Sequence, residues 1–309
     1  MVHAKPYRDL NGWLKERFGC KVFKVSLSAG TTCPNIDGTL ATGGCTFCND
    51  ASYAPRTGPR REKPIREQLA EGIAYLRKRH KSPKFIAYFQ SFTSTYGDRE
   101  VLLDKFRAGL DHPDVVGLAL STRPDCLNAG WAKDLNDLGK VCWIEIGLQT
   151  ANDATLKKIN RAHTSRQFAE AVKMWKQNSA IPICAHVIVG LPGETKEEVL
   201  TTARFLADLP IDAVKIHNLH VVKGTQLAQE YLTGGYQPLT LEEYVDWTIG
   251  FLELTPPQYI IHRVNAHAPR HLTLAPDWSV NKLAVFNAVE KEMEQRDTRQ
   301  GKNYYQVIC

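Results

Sequence analysis

Cys33, Cys45 and Cys48 fall within sixteen residues, on a loop that directly follows the apolar run Val22 to Leu27. Three thiols in one loop outline a metal site, because thiolates are the ligands that zinc and iron-sulfur clusters take. A structural zinc ion asks for four protein ligands. No fourth Cys or His lies in or near the segment, the nearest being His3, Cys20 and His80. A cluster of four irons asks for one ligand per iron, so three cysteines would leave one iron open to a small molecule. Phe47, just before the last cysteine, suits a shield against water, and solvent exposure tunes a cluster's potential. Gly38, Gly43 and Gly44 fit a chain that must fold tightly for sulfurs eleven residues apart to converge, and Pro34 and Asp37 add turn chemistry. A zinc loop completed by a remote residue is the competing reading.

Such a loop needs a scaffold that brings other groups to it. Counting Lys21 to Leu27 as the first strand, strand-length apolar runs follow at Phe85 to Phe89, Val115 to Leu120, Val141 to Leu148, Ile183 to Val189 and Ala213 to Leu219. Helical patterns fill the intervals. Ile65 to Arg79 carries Leu69, Ile73 and Leu76 on one face; Arg99 to Leu110, Trp131 to Leu138 and Arg166 to Gln177 follow. Thr195 and Glu198 form a capping box for a helix to Asp208, and Leu241 to Leu254 closes at Pro256-Pro257. Six strands, each followed by a helix, indicate a parallel sheet covered by helices. Each strand ends in groups suited to chemistry: the cysteine loop, Gln90-Ser91, Ser121 to Asp125, Gly147 to Thr150, Gly190 to Glu194 and His217 to His220. A barrel gathers its site at these ends in this way, whereas a doubly wound sheet uses mainly one crevice.

The 309 residues are 43% hydrophobic, enough for a packed core, and no run approaches the roughly 18 apolar residues of a membrane helix. A cytoplasmic protein with reduced thiols is expected. Cys126, Cys142 and Cys184 lie at or inside apolar segments and read as small core residues. A P-loop, a dinucleotide fingerprint after the first strand and a nucleophile elbow are all absent. The charge of +6 is concentrated: residues 56 to 84 carry ten Lys and Arg against three Glu. Arg60, Arg61 and Arg79 belong to that stretch, which suggests a polyanion; a solvated helix face is the alternative. No composition break divides residues 20 to 254. The core is set at residues 15–254, with 255–309 a C-terminal extension whose end, from Arg296, reads as a frayed polar tail. In the extension Tyr259 to Val264 is strand-like and Val280 to Met293 helical. Between them Arg263, His267, Arg270 and Lys282 interleave with Trp278, a pattern that suits a nucleic-acid strand.

With these residues in place, the chain resembles the radical S-adenosylmethionine (radical SAM) enzymes over about residues 7 to 295. The wide gap between Cys33 and Cys45 is similar to that of the branch related to the elongator catalytic subunit, and specifically of the YhcC/YtqA-like proteins. Phe18-Gly19 is followed here by Cys20-Lys21-Val22, and Ile36 stands where that branch usually has Arg. Gln149 and Arg161 resemble the pair that holds the ribose and carboxylate of S-adenosylmethionine in coproporphyrinogen-oxidase-like members. His186 falls at a further ribose-contacting position, and Gln90-Ser91 at the strand end that grips the methionine amino group. Ser121 to Asp125 matches the Thr-Arg-Pro-Asp of the elongator-like branch.

The resemblance implies an α/β fold, a partial (β/α)6 TIM-like barrel with a C-terminal extension. It also implies a 4Fe-4S cluster on Cys33, Cys45 and Cys48, with the amino and carboxylate groups of S-adenosylmethionine on the open iron. Reduction by an electron donor such as flavodoxin or ferredoxin would yield methionine and a 5'-deoxyadenosyl radical that abstracts hydrogen from an unactivated carbon. The branch points to tRNA and to the wobble uridine, where a carboxymethylaminomethyl side chain at carbon 5 would become aminomethyl. Arg60, Arg61, Arg79 and Arg270 are the RNA-binding candidates. A radical enzyme acting on a small metabolite or peptide, and a non-enzymatic zinc-stabilised nucleic-acid binder, are the alternatives.

Overall fold

In the computed structural model, which describes residues 5–49, 52, 63–80 and 83–304, the apolar runs become neighbouring strands of one sheet. Helix α1 (Leu10–Phe18) opens the chain and is followed by β1 (Val22–Leu27), α2 (Ile65–Arg79), β2 (Lys84–Phe89), α3 (Arg99–Leu110) and β3 (Val115–Thr122). Next come α4 (Ala129–Asp137), β4 (Val141–Gln149), α5 (Asp153–Lys158), α6 (Ser165–Asn178), β5 (Ile183–Val189), α7 (Lys196–Ala207) and β6 (Ala213–Asn218). The chain continues through β7 (Val221–Val222), α8 (Gln226–Leu232), α9 (Leu241–Leu254), β8 (Ile260–Arg263), β9 (Thr273–Ala275) and α10 (Lys282–Gln295).

The main sheet has seven strands in the order β1-β2-β3-β4-β5-β6-β8, and every pairing is parallel. The strand order never reverses, so there is no switch point. Right-handed crossovers place successive helices on one side, and the sheet curls about its other face. This is the partial barrel, and it gains one strand on the six read from the sequence. The seventh, β8, comes from the stretch beyond residue 254 and lies beside β6. Its free edge is covered by the N-terminal segment: Ile261 N–H donates to the Arg8 carbonyl at 2.8 Å, as a protected edge requires. Helix α1, started by an Asp9 cap and stopped at Gly19 (φ 67°), packs against both edge strands, β1 and β8.

Residues alternate between the two faces of each strand. The helix-facing set includes Leu27, Phe89, Leu120, Ile146, Val187 and Ile216, packed on Leu69, Phe106, Phe168, Trp175 and Ile249 from the helices. The inner set begins at the N-terminal end of the barrel with a smaller plug, in which Leu14 meets Val22, Ile86, Ala119, Trp143 and Ile260. The capping box expected at Thr195 and Glu198 forms, and Thr164 with Gln167 and Thr240 with Glu243 repeat it.

The tail is not frayed where it is described. Gln300 is buried, its side-chain amide donates to the carbonyls of Pro256 and Tyr259, and its backbone N–H donates to the Pro6 carbonyl. A polar residue whose donors find buried carbonyls anchors a segment that composition alone marks as loose.

Candidate active site

The cysteine loop crosses the C-terminal mouth of the barrel. Gly38, Gly43 and Gly44 adopt φ of 91°, 79° and 75°, the left-handed conformations that the tight path was expected to need. The loop is fastened by the turn after α5. Asn160 donates to the carbonyls of Thr42 and Gly44, Asn35 donates to the Asn160 carbonyl, and the Thr46 N–H reaches the Ile159 carbonyl. Asn160 and Ala162 hold φ of 52° and 55° in this turn, strained positions of the kind that gather at functional sites. Cys33, Cys45 and Cys48 all face one cavity of about 340 Å³. Two N–H groups point at the Cys45 sulfur: Asn35 Nδ2 at 3.6 Å and Arg161 Nη1 at 3.7 Å. Donors aimed at a ligand sulfur tune a cluster bound there.

Gln149 and Arg161 meet at the end of β4. A bulge against β5 and a φ of 82° at Gln149 turn the strand end toward the mouth. Arg161 Nη2 donates to the Gly147 carbonyl at 2.8 Å. The bare Gly147 lets both groups come close: a Cβ there would lie 2.5 Å from Arg161 Nη2 and 2.7 Å from Gln149 Nε2 and would push these side-chain ends out of place. Arg161 Nε donates to His163 Nε2 at 2.9 Å, and the His163 Nδ1 proton is free to reach the Thr164 carbonyl at 3.2 Å. Burial and the two arginines Arg161 and Arg123 lower His163 to about 2, so it stays neutral and serves as an acceptor that orients Arg161. Arg123, buried and paired to Asp125 at 3.0 Å, lies under the same loop.

Below the mouth the inner face turns polar. Glu145, fully buried on β4, receives Lys24 at 2.5 Å on one oxygen, and Tyr88, His186 and Lys215 at 2.6, 2.7 and 2.7 Å on the other. Burial alone would push the Glu145 carboxyl up, but Lys215 and Lys24 hold it well below the usual range. Burial lowers Lys215 to about 8 and His186 to about 4. His262 stands 3.3 Å from the Glu145 oxygen that Lys24 contacts and is likewise lowered, by burial, to about 3. Arg263, next to Lys215 in the sheet, meets the His217 ring nitrogens at 2.8 and 2.9 Å.

The structure thus gathers most of the expected site. Gln90, Gln149, Arg161 and His186 line the cavity with the three cysteines. His186 sits deeper than a ribose contact at the rim would need, with its Nε2–H committed to Glu145. Ser91 is buried and is not part of the cavity wall, whereas its neighbours Gln90 and Phe92 are, on a bend after β2 in which Phe92 holds a φ of 55°. Arg60 and Arg61 lie outside the described residues. Arg79 ends α2, and its neighbour Arg77 pairs with Asp114 just before β3, so Arg79 sits at the opposite end of the barrel from the mouth. Arg270 is exposed on the loop that brings Ala266 to Ala268 to the cavity rim. Trp278 is no stacking platform: its indole N–H donates to the Leu239 carbonyl, and its ring lies 5.0 Å from Tyr244. Cys142 and Cys184 are in the core, but Cys126 is partly exposed on a second hollow behind the cysteine loop. Glu145, Lys24, Lys215 and His262 escaped the sequence reading. A single charge or histidine inside an otherwise apolar strand, repeated from strand to strand, was the available signal.

Among the described residues no three His, Cys, Asp or Glu side chains converge closely enough to hold one metal ion. Three cysteines sharing a wider cavity, with N–H donors directed at one sulfur, fit a multi-iron cluster better than a compact zinc cage. Residues 38–206 match the model of the Radical SAM superfamily, and residues 211–295 match the Radical SAM C-terminal domain. The chain is 41% identical over 305 residues to YtqA of Bacillus subtilis, covering 98% of this chain and 94% of that one. It is 39% identical over 287 residues to YhcC of Escherichia coli K12, covering 92% and 91%. A more distant relative is a tRNA uridine(34) acetyltransferase of Dehalococcoides mccartyi, 29% identical over 157 residues, 50% of this chain and 34% of that one. Among solved structures, the archaeal Elp3 of Methanocaldococcus infernus superposes with a TM-score of 0.70 at 19% identity, over 93% of this chain and 68% of that one, a likeness of fold. The family uses a 4Fe-4S cluster and S-adenosylmethionine, and this chain is a radical SAM enzyme of the YhcC/YtqA-like family.

Proposed function

We propose that the enzyme acts on the wobble uridine of tRNA and converts a carboxymethylaminomethyl side chain at carbon 5 to aminomethyl. The observation that carries the reading is one cavity of about 340 Å³ with the cysteine loop at its mouth and cationic groups at its floor, of a size for a modified base side chain rather than for folded RNA. The tRNA uridine(34) acetyltransferase relative supports uridine 34 as the target. The cluster and S-adenosylmethionine, when bound, supply a 5'-deoxyadenosyl radical that removes hydrogen from an unactivated carbon.

The chain's own residues do the rest. Cys33, Cys45 and Cys48 hold the cluster, with Asn35 and Arg161 donating toward Cys45. Gln149, Arg161 and Gln90 hold the cosubstrate at the rim, and His163 fixes the Arg161 guanidinium. Phe47, partly buried against Leu219 and Val221, closes the mouth to water. Arg270 at the rim meets the RNA backbone, so binding weakens as salt rises. The conversion balances if the carboxymethyl group leaves as glyoxylate. The N–CH2 carbon gives up one hydrogen atom to the radical and one further electron that returns to the cluster. Water adds to the resulting iminium and supplies the aldehyde oxygen and the protons of the released amine. S-adenosylmethionine, ending as methionine and 5'-deoxyadenosine, is the net two-electron oxidant. Nucleoside mass spectrometry of total tRNA, with and without the gene, tests the reading. Carboxymethylaminomethyl uridine should accumulate and aminomethyl derivatives should fall in the deletion strain; an unchanged profile would point to a small metabolite or peptide substrate.

A further inference from the structure

The floor of the cavity holds more positive charge than its own acid can balance. Lys215 and Arg263 line it, and behind them one carboxylate, Glu145, is shared by Lys215 and a third cation, Lys24. Both Glu145 oxygens are taken by Lys24 and by Tyr88, His186 and Lys215, which leaves nothing for Arg263. Among the described residues no carboxylate lies within ion-pair distance of Arg263. Its contact is with His217, and its Nε is buried without a hydrogen-bond partner. The histidines add no compensation of either sign, because burial lowers His186, His217 and His262 below their ordinary range. Arg263 is half-buried and faces the cavity, and a partly desolvated guanidinium with no anion of its own favours one that enters.

We propose that Arg263, with Lys215 beside it, is the binding site for a carboxylate on the substrate. The two are register partners on β6 and β8 and both line the cavity. A guanidinium fork matches the two oxygens of a carboxylate. Folded RNA is far larger than a cavity of about 340 Å³, whereas the end of a side chain fits one. Assigning the anion to the substrate rests on the reading above, in which this cavity is the reaction chamber. It also sharpens that reading: a carboxylate held at the floor turns the adjacent carbon toward the mouth, where Gln149, Arg161 and the cysteines stand. The carbon next to the carboxylate is then the one presented for hydrogen abstraction.

The test compares two probes that differ only in charge, N-benzoylglycine and N-benzoylglycinamide, binding to the reconstituted full-length enzyme with S-adenosylmethionine present, by anaerobic calorimetry. The acid should bind at least about tenfold more tightly than the amide. The preference should shrink in Arg263→Lys and vanish in Arg263→Gln. Equal binding of acid and amide to the unaltered enzyme, or a full preference surviving in Arg263→Gln, would overturn the assignment. Should Arg263→Gln fail to fold by circular dichroism, the unaltered enzyme and Arg263→Lys decide. Acid preference in an enzyme whose deletion leaves tRNA unchanged would keep the carboxylate site and remove the tRNA reading. Altered tRNA without acid preference would do the reverse.

Discussion

On strand β4, Ile144, Ile146 and Leu148 face the surrounding helices while Trp143, Glu145 and Gly147 face the barrel interior. The outer residues act by exclusion of water, each buried aliphatic side chain contributing about 1.5–3 kcal/mol relative to exposure. The inner face is apolar only at its base, at Trp143. One step up, Glu145 is buried at a desolvation cost that only its cationic partners offset. One step further, Gly147 gives up its side chain so that Arg161 and Gln149 can approach. The same strand is thus a structural wall on one side and a graded site on the other. Stability is concentrated where side chains are interchangeable apolar bodies, and chemistry where a single atom's position matters.

Substitutions on the two faces should separate these roles. The largest effect is expected at the mouth: Cys33→Ala, Cys45→Ala or Cys48→Ala should abolish reductive cleavage of S-adenosylmethionine and lower iron bound per chain after anaerobic reconstitution. Their urea unfolding without iron should stay close to that of the unaltered protein. Full iron content in any of the three would remove that cysteine from the ligand set. Next are two buried residues of opposite type. Trp175→Ala on the helix side should cost about 3–5 kcal/mol through the cavity it leaves. Glu145→Gln should cost about 3–5 kcal/mol for a different reason, the stranding of Lys24 and Lys215 without their anion. Equilibrium unfolding in urea reads both. Repacking with a larger neighbour should rescue the first, and an additional Lys215→Met should partly rescue the second; the reverse pattern would erase the distinction.

A smaller effect should appear at Glu194, at the end of the loop after β5. It is buried, accepts from Thr150 Oγ1 at 2.5 Å, and burial raises its carboxyl to about 7. The folded state holds this proton more tightly than the unfolded chain. Its contribution to stability is therefore complete below the ordinary carboxyl value of 4.5 and is lost as pH rises through about 7. Glu194→Gln should stabilise the protein by about 1–3 kcal/mol at pH 8 and little at pH 4.5, flattening the pH profile of urea unfolding. A profile as steep as that of the unaltered protein would mean that Glu194 is already ionised in the fold.

The helix-facing half of the molecule was legible in sequence because it obeys period and composition. Val115 to Leu120 and Ile183 to Val189 read as strands, and Leu69 and Ile73 mark the buried side of α2. The cysteine loop was legible through spacing, and Gln149 with Arg161 through family likeness. The polar floor was not, because Glu145 sits between two isoleucines and Lys215 between Val214 and Ile216, so each reads as one exception in a buried run. Its meaning arises only when five strands bring their exceptions to one level. Helix α1 was also missed, although Asp9 and Gly19 bracket it as cap and stop, because its apolar residues Leu10, Trp13 and Leu14 are few. The basic stretch from 56 to 84 misled in part, since topology carries Arg79 to the far end of the barrel. Linear closeness to a loop says little once a helix of fifteen residues, about 22 Å, intervenes.

The most direct measurement of the central claim is a single-turnover assay of the anaerobically reconstituted enzyme with S-adenosylmethionine, a reductant and tRNA bearing carboxymethylaminomethyl uridine. The account predicts one aminomethyl uridine for each methionine and each 5'-deoxyadenosine formed. Formation of 5'-deoxyadenosine with the tRNA nucleosides unchanged would contradict it.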